Sequence, residues 1–260
     1  MSEYVNSKEN IYFIISLIFS LICYALFIVC SIGIGLVYLL TGLILSFLLH
    51  GLLIGNLKGN AVKISNKQFP EVYGYIKDFS NTLNLQQVPD VYIIQSGGIL
   101  NAFATKFLGR NFVVIYSDVL EMAYEKGEDA VKFIICHELT HIKRNHMTKN
   151  ALILGSAFIP FLHTAYSRAC EYTCDSFATK LIPTGAIDGL LALTCGKKLY
   201  TKINITEYCN QISYEAGFFT WLYEVNSTHP NLTKRVKNVI DLGAIQNHDN
   251  TNEKSKELIC

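Results

Sequence analysis

The chain has 260 residues, half of them hydrophobic and 17% charged, with a formal net charge of +1. That near-neutral balance, without a basic stripe, gives no case for nucleic-acid binding. Its eight cysteines lack the spacing of a disulfide scaffold, so free thiols in a reducing compartment are expected.

No Asp, Glu, Lys or Arg occurs from Asn10 to Leu57. One membrane span takes about 20 apolar residues, so the interval is too long for one and suits two. Ser31-Ile32-Gly33-Ile34-Gly35 is the natural turn between them. The rival reading, a cleaved secretory signal, has an apolar core of only about 7–15 residues. Two crossings return the chain to its starting side. Lys58, Lys63 and Lys67 precede the next acid, Glu71, and positive residues at a membrane exit favour the cytoplasm. The expected organisation is a flank (1–10), two transmembrane helices (11–57), a cytoplasm-facing domain (58–243) and a polar, disordered tail (244–260) of a multi-pass plasma-membrane protein. The glycosylation patterns at Asn204, Asn226 and Asn231 would be unused there. His50 reads as an interfacial residue and not a ligand.

Beyond the spans, residues 68–83 predict an amphipathic helix with Phe69, Val72, Tyr73, Ile76 and Phe79 on one side. Residues 91–95 and 111–116 are β-branched and aromatic and predict buried strands. Between them lie Gly97-Gly98 and the segment 101–105, giving a three-stranded sheet. Asn101, Ala102, Phe103 and Ala104 then form an edge that can bind an extended peptide by main-chain hydrogen bonds. The alternative is a plain buried hairpin.

Residues 129–149 predict one helix carrying His137-Glu138-Leu139-Thr140-His141, the pattern H-E-x-x-H. Residues four apart share a helix face, so the two imidazoles can hold one metal ion while Glu138 stays free to move protons. Val131, Phe133, Ile134, Ile135, Leu139 and Ile142 mark the helix as buried, where two histidines and a glutamate need a partner. A catalytic zinc takes a third protein ligand. On a continuous helix His146 points about 140° away from His141. Met147 and Arg144 occupy the positions that a metzincin gives to histidine and glycine.

Residues 151–166 are apolar but interrupted by Gly155, Pro160 and His163, too broken for a span. This segment either touches the bilayer or packs against the metal-binding helix. A second helix follows with Glu171 and Asp175 on one face, so one carboxylate can bind the metal and the other accept the spare N–H of a ligand histidine. Cys170 and Cys174, also four apart, are metal-capable, but a mixed His/Cys site would be closed and structural and would leave Glu138 without a role, so they are expected to be small packing residues. His229, before Pro230, reads by itself as a turn residue, and Arg235 as a solvated charge beside Lys234 and Lys237. Helices are expected to continue to Leu242.

These residues resemble the membrane zinc metallopeptidases of the HtpX and CAAX-prenyl-protease type, which are gluzincins. The resemblance rests on His137 to His141 followed by His146, on Glu171-Tyr172-Thr173-Cys174-Asp175, on Ser227-Thr228-His229-Pro230 with Arg235, and on Asn101-Ala102-Phe103-Ala104-Thr105. It implies a mainly α-helical α+β fold: two N-terminal transmembrane helices, then a zincin-like domain with a small mixed sheet. It also implies one zinc ion per chain on His137, His141 and Glu171, with Glu138 as general base. Asp175 would orient a ligand histidine, His229 would stabilise the oxyanion and Arg235 would brace that wall. Asn101 to Ala104 would line the substrate cleft. Expected partners are the bilayer and peptide or misfolded membrane-protein substrates. Alternatives are a narrow peptidase for lipid-linked peptides and an idle zinc-binding scaffold. The chain departs from the family in having Cys174 where alanine is common, and in lacking HtpX's further spans between the zinc helix and the third ligand.

Overall fold

The computed structural model describes residues 2–95, 97, 101–125 and 127–244. The expected tail, apart from Ala244, and Gly98 of the expected turn lie outside the described residues. The fold is mainly α-helical with one small mixed sheet. It opens with α1 (Ser7–Cys30) and α2 (Ile34–Asn60), both long and apolar enough to cross a membrane, which supports a multi-pass topology. Asn6 caps α1 by accepting from the Lys8 N–H. Between the helices Ile32 and Gly33 are both left-handed (φ 53° and 84°), and the Ser31 hydroxyl accepts the Gly35 N–H to start α2. The turn is where the sequence puts it.

There follow β1 (Val62–Lys63), α3 (Pro70–Thr82), β2 (Asp90–Ile94), β3 (Ala102–Phe107), β4 (Arg110–Tyr116) and α4 (Ser117–Tyr124). Next come α5 (Glu128–Lys143), α6 (His146–Leu152), a short 3-10 turn (Leu154–Phe158) and α7 (Leu162–Leu181). The last helices are α8 (Ala186–Cys195), α9 (Ile205–Tyr214), α10 (Phe218–Asn226) and α11 (Leu232–Asp241).

The sheet has four strands, not three, in the order β1-β2-β4-β3. β2 and β4 pair in parallel, and β1 and β3 flank them antiparallel. The extra strand escaped the sequence reading because two exposed residues carry no alternation. β3 and β4 are joined by Leu108 and Gly109, both at positive φ (48° and 78°), the backbone that matches the twist of a two-residue hairpin. β3 is an edge strand, so one of its sides has no strand partner among the described residues.

Side chains alternate across the sheet. Val91, Ile93, Val113 and Ile115 join the main core, built around α5 with α3, α4, α8 and α11. Tyr92, Phe112 and Val114 face the other way and pack on Ile54 and Leu57 of α2. The last turns of α2 therefore roof the sheet. Along α5, Val131, Ile135, Cys136 and Leu139 are fully buried, as expected.

The expected single helix over 129–149 is corrected. α5 stops at Lys143, Asn145 turns left-handed (φ 56°), and α6 restarts at His146. Asn tolerates that conformation better than most residues. The break changes where His146 points.

Gly185 is the N-cap of α8 and lies against the first turn of α5, where Thr184 donates to the Asp129 carboxylate at 2.6 Å. A Cβ at Gly185 would overlap the Asp129 carbonyl. Gly185→Ala is expected to cost about 1–3 kcal/mol through overpacking and to lower the thermal midpoint in detergent. An unchanged midpoint would contradict this packing.

Candidate metal centre

His137 and His141 lie one turn apart on α5, and their Nε2 atoms approach to 3.2 Å. From α7, Glu171 brings Oε2 to 3.3 Å from His137 Nε2 and Oε1 to 3.3 Å from His141 Nε2. Neighbouring ligands about 2.0–2.1 Å from a tetrahedral zinc ion stand about 3.3 Å apart, which is the spacing of the two imidazoles and of each imidazole from the Glu171 oxygen that faces it, a different oxygen for each. The donor set, two imidazoles and a carboxylate, suits the same ion.

A second arrangement is also present. The ligating atoms of His137, His141 and Cys174 all lie within 4.8 Å of one another and could hold a metal ion. The expectation that Cys174 only packs is corrected to that extent. Its sulfur also sits 3.8 Å from His146 Nδ1. Burial holds its thiol well above the ordinary pKa, so a bound ion would have to displace the proton for the sulfur to ligate.

Arg235 binds this group from behind. Its Nε and Nη2 donate to the two oxygens of Asp175 at 2.8 and 2.7 Å, and its Nη1 lies 3.2 Å from Glu171 Oε2. All three side chains are buried, so the solvated charge that position 235 suggests in isolation is corrected. Asp175 Oδ1 is 2.9 Å from His137 Nδ1, within reach but off the line of a ring N–H. Burial alone would raise the carboxyls of Glu171 and Asp175, yet Arg235 and the imidazoles hold both below their ordinary range. Burial disfavours a charged His137, but Asp175 and Glu171 outweigh it and lift its pKa to about 10.

His137, Glu138, His141, Glu171, His229, Arg235 and Asn101 to Ala104 line one cavity of about 260 Å³, while Asp175 sits behind His137. Glu138 lies on its wall, and burial raises its carboxyl against the opposing pull of His141 and His137. Asn101, Ala102, Phe103 and Ala104 form a second wall at the β3 edge. His229 is the exposed member. Its Nε2 is 3.5 Å from Glu171 Oε1, and Thr228 Oγ1 is 3.0 Å from its Nδ1. Glu171 alone would raise its pKa, but burial and the charges of Arg235, His137 and His141 outweigh this and move it downward. His50 is remote from the site, 3.0 Å from Thr105 Oγ1 and stacked on Phe107.

The direction expected for His146 is corrected by the break at Asn145, although His146 stays outside the metal-capable group, as the sequence reading had it. Its Nδ1 comes within 3.0 Å of His141 Nδ1, on the side away from Glu171. Behind it stands a residue the sequence reading missed. Glu9, fully buried in the first turn of α1, takes a hydrogen bond from Thr173 at 2.6 Å and one from Arg144 at 2.8 Å. Its Oε1 lies 3.3 Å from His146 Nε2. The available signal was a lone acid opening a long apolar helix, which marks a paired and functional group.

Fold and site together define a membrane-embedded, peptidase-like protein with a potential metal-binding cluster. The model of the Peptidase U49 family matches residues 120–255, more than half of the chain, and the protein belongs to that family. The model of Peptidase family M48 matches residues 66–160, overlapping the first across α5 and α6. Both support a protease-like activity. No curated protein matches the chain. Among solved structures, the crystal structure of S. mikatae Ste24p is similar with a TM-score of 0.49 and 15% identity, over 79% of this chain and 57% of that one. The chain thus spans little more than half of that protein's length.

Arg235→Ala would strand two buried carboxylates. The expected cost is about 3–5 kcal/mol, read as a fall in unfolding midpoint. A variant as stable as the parent would show that Arg235 does not hold Asp175 and Glu171 together.

Proposed function

We propose that the protein is a membrane-anchored zinc endopeptidase, with His137, His141 and Glu171 holding one zinc ion and Glu138 acting as general base. The approach of the two imidazoles to 3.2 Å, with one Glu171 oxygen 3.3 Å from each, on the wall of the cavity that contains Glu138, supports this reading. When bound, zinc polarises the scissile carbonyl and lowers the pKa of a water at its open position toward about 7.

The chain's own groups do the rest. Glu138 takes the proton of the attacking water and delivers it to the leaving amine, and its raised pKa suits both transfers. His229, neutral at pH 7, donates from Nε2 to the carbonyl oxygen as negative charge develops there. Asp175 orients His137, and Arg235 fixes Asp175 and Glu171. The open edge of β3 takes substrate as an added strand. Main-chain pairing of this kind asks little of sequence, which favours unfolded segments, including those of misfolded membrane proteins. Lys58, Lys63 and Lys67 support a cytoplasmic catalytic domain in the plasma membrane.

Cys174 supports one rival: a closed, structural His-His-Cys site on an idle scaffold. Two variants separate the readings. Glu171→Ala is expected to lower zinc stoichiometry, measured by elemental analysis, while Cys174→Ala leaves it near one per chain. The reverse pattern would establish the rival.

Glu138→Gln is expected to keep zinc and lose about 10²–10⁴-fold in cleavage of an unfolded substrate such as casein. Parental activity in that variant would remove Glu138 from the mechanism. His146→Ala is expected to weaken zinc affinity about 10–100-fold by releasing His141, measured by chelator competition. Unchanged affinity would make the contact between His146 and His141 incidental.

A further inference from the structure

The segment between α6 and α7 sits beside the middle of α1. Gly155 N–H donates to the Tyr24 hydroxyl at 2.9 Å, and a Cβ on Gly155 would meet the Ser20 backbone. Two further contacts give the same vertical register. Thr173 meets Glu9 and Asn6 at the start of α1, and Tyr166 packs on Phe13 a turn further along. Residues 146–173 thus run down α1, turn at Leu154–Phe158 and climb back. At about 1.5 Å per residue, Ser20 lies about 15 Å from Cys30, the far end of α1. A hydrocarbon layer about 30 Å thick, ending there, puts the turn near its middle.

The outward surface of this turn is apolar and uncovered. Leu152, Leu154 and Phe158 are 52%, 61% and 85% exposed, continuous with the exposed apolar face of α1. Ile153, Gly155, Ser156, Ile159 and Leu162 all have their N–H groups paired, with Lys149, the Tyr24 hydroxyl, Ile153, Ser156 and Ile159 as acceptors. Non-helical backbone enters a bilayer only when satisfied in this way. Alongside, Trp221 of α10 meets the ring of Phe161 at 6.1 Å, with Phe218 and Phe219 exposed next to it. Higher up, Arg168 donates to the carbonyls of Glu224, Val225 and Ser227, so the polar end of α10 is near the start of α1 and the aromatic end is nearer the lipid.

We propose that residues 151–162 form a re-entrant turn in the hydrocarbon layer, lying against α1, with the aromatic end of α10 seated at the headgroup level. The occupant of this surface is lipid: acyl chains around Leu154 and Phe158, and the ester region around Trp221. Since α6 and α7 also carry His146 and Glu171, the turn holds the proposed metal site at a fixed height above the bilayer. This inference rests on α1 and α2 spanning the membrane.

Trp221 is the sole tryptophan of the chain, so its fluorescence reports one position. The full-length protein would be reconstituted in phosphatidylcholine vesicles brominated either near the ester or at mid-chain. Trp221 is expected to be quenched more by the near-ester lipid. In a Trp221→Phe background, Phe158→Trp is expected to be quenched about twofold or more by mid-chain bromine, as is Leu45→Trp in the middle of α2. Both positions are exposed, so the substitutions leave the core intact. Quenching at Leu45→Trp but not at Phe158→Trp overturns the re-entrant turn and leaves the spans standing. Quenching at neither overturns both, and quenching at both supports the proposal.

Discussion

The buried guanidinium of Arg235, paired with both oxygens of Asp175 and set against Glu171, is the interaction on which the centre depends. Two carboxylates that close in a dry interior would repel each other and gain protons. Arg235 keeps both ionised, so Glu171 can face the imidazoles while Asp175 stands behind His137. A lysine could not make the same two-pronged contact. α11 is therefore tied to α7 through charge as well as through the packing of Val236 and Val239.

A second network ties the centre to the membrane. Glu9 is buried at the start of α1 and gathers Arg144, Lys149 and Thr173, while His146 stands between it and His141. Every one of these groups sits on α1, α5, α6, α7 or the break between α5 and α6. The roof that α2 makes over the sheet does the same for β3. The two apolar helices thus hold the two walls of the cavity, one bearing the residues proposed to bind the metal and the other the strand edge. They are part of the site's framework, not a tether.

Much of this was legible in the sequence, and for physical reasons. The pair His137 and His141 and the pair Glu171 and Asp175 follow from helical spacing, and the strands at 91–95 and 111–116 from β-branched runs. The two spans follow from an uncharged interval. What escaped depended on single residues or distant partners. Asn145 breaks a helix that periodicity alone continues, which is why His146 was assigned to the wrong direction. Glu9 gains its role from residues more than 130 positions away. Arg235 looks like one of three adjacent surface charges until α11 packs on α7. Cys174 is metal-capable by residue type, but its place beside His137 and His141 shows only when α7 packs on α5.

The central claim is a divalent ion held by two imidazoles and the Glu171 carboxylate. X-ray absorption at the zinc edge of the full-length protein, purified without chelators, tests it most directly. The account predicts a first shell of nitrogen and oxygen at about 2.0–2.1 Å with imidazole scattering and no sulfur. A sulfur ligand at about 2.3 Å would contradict it and assign the ion to Cys174.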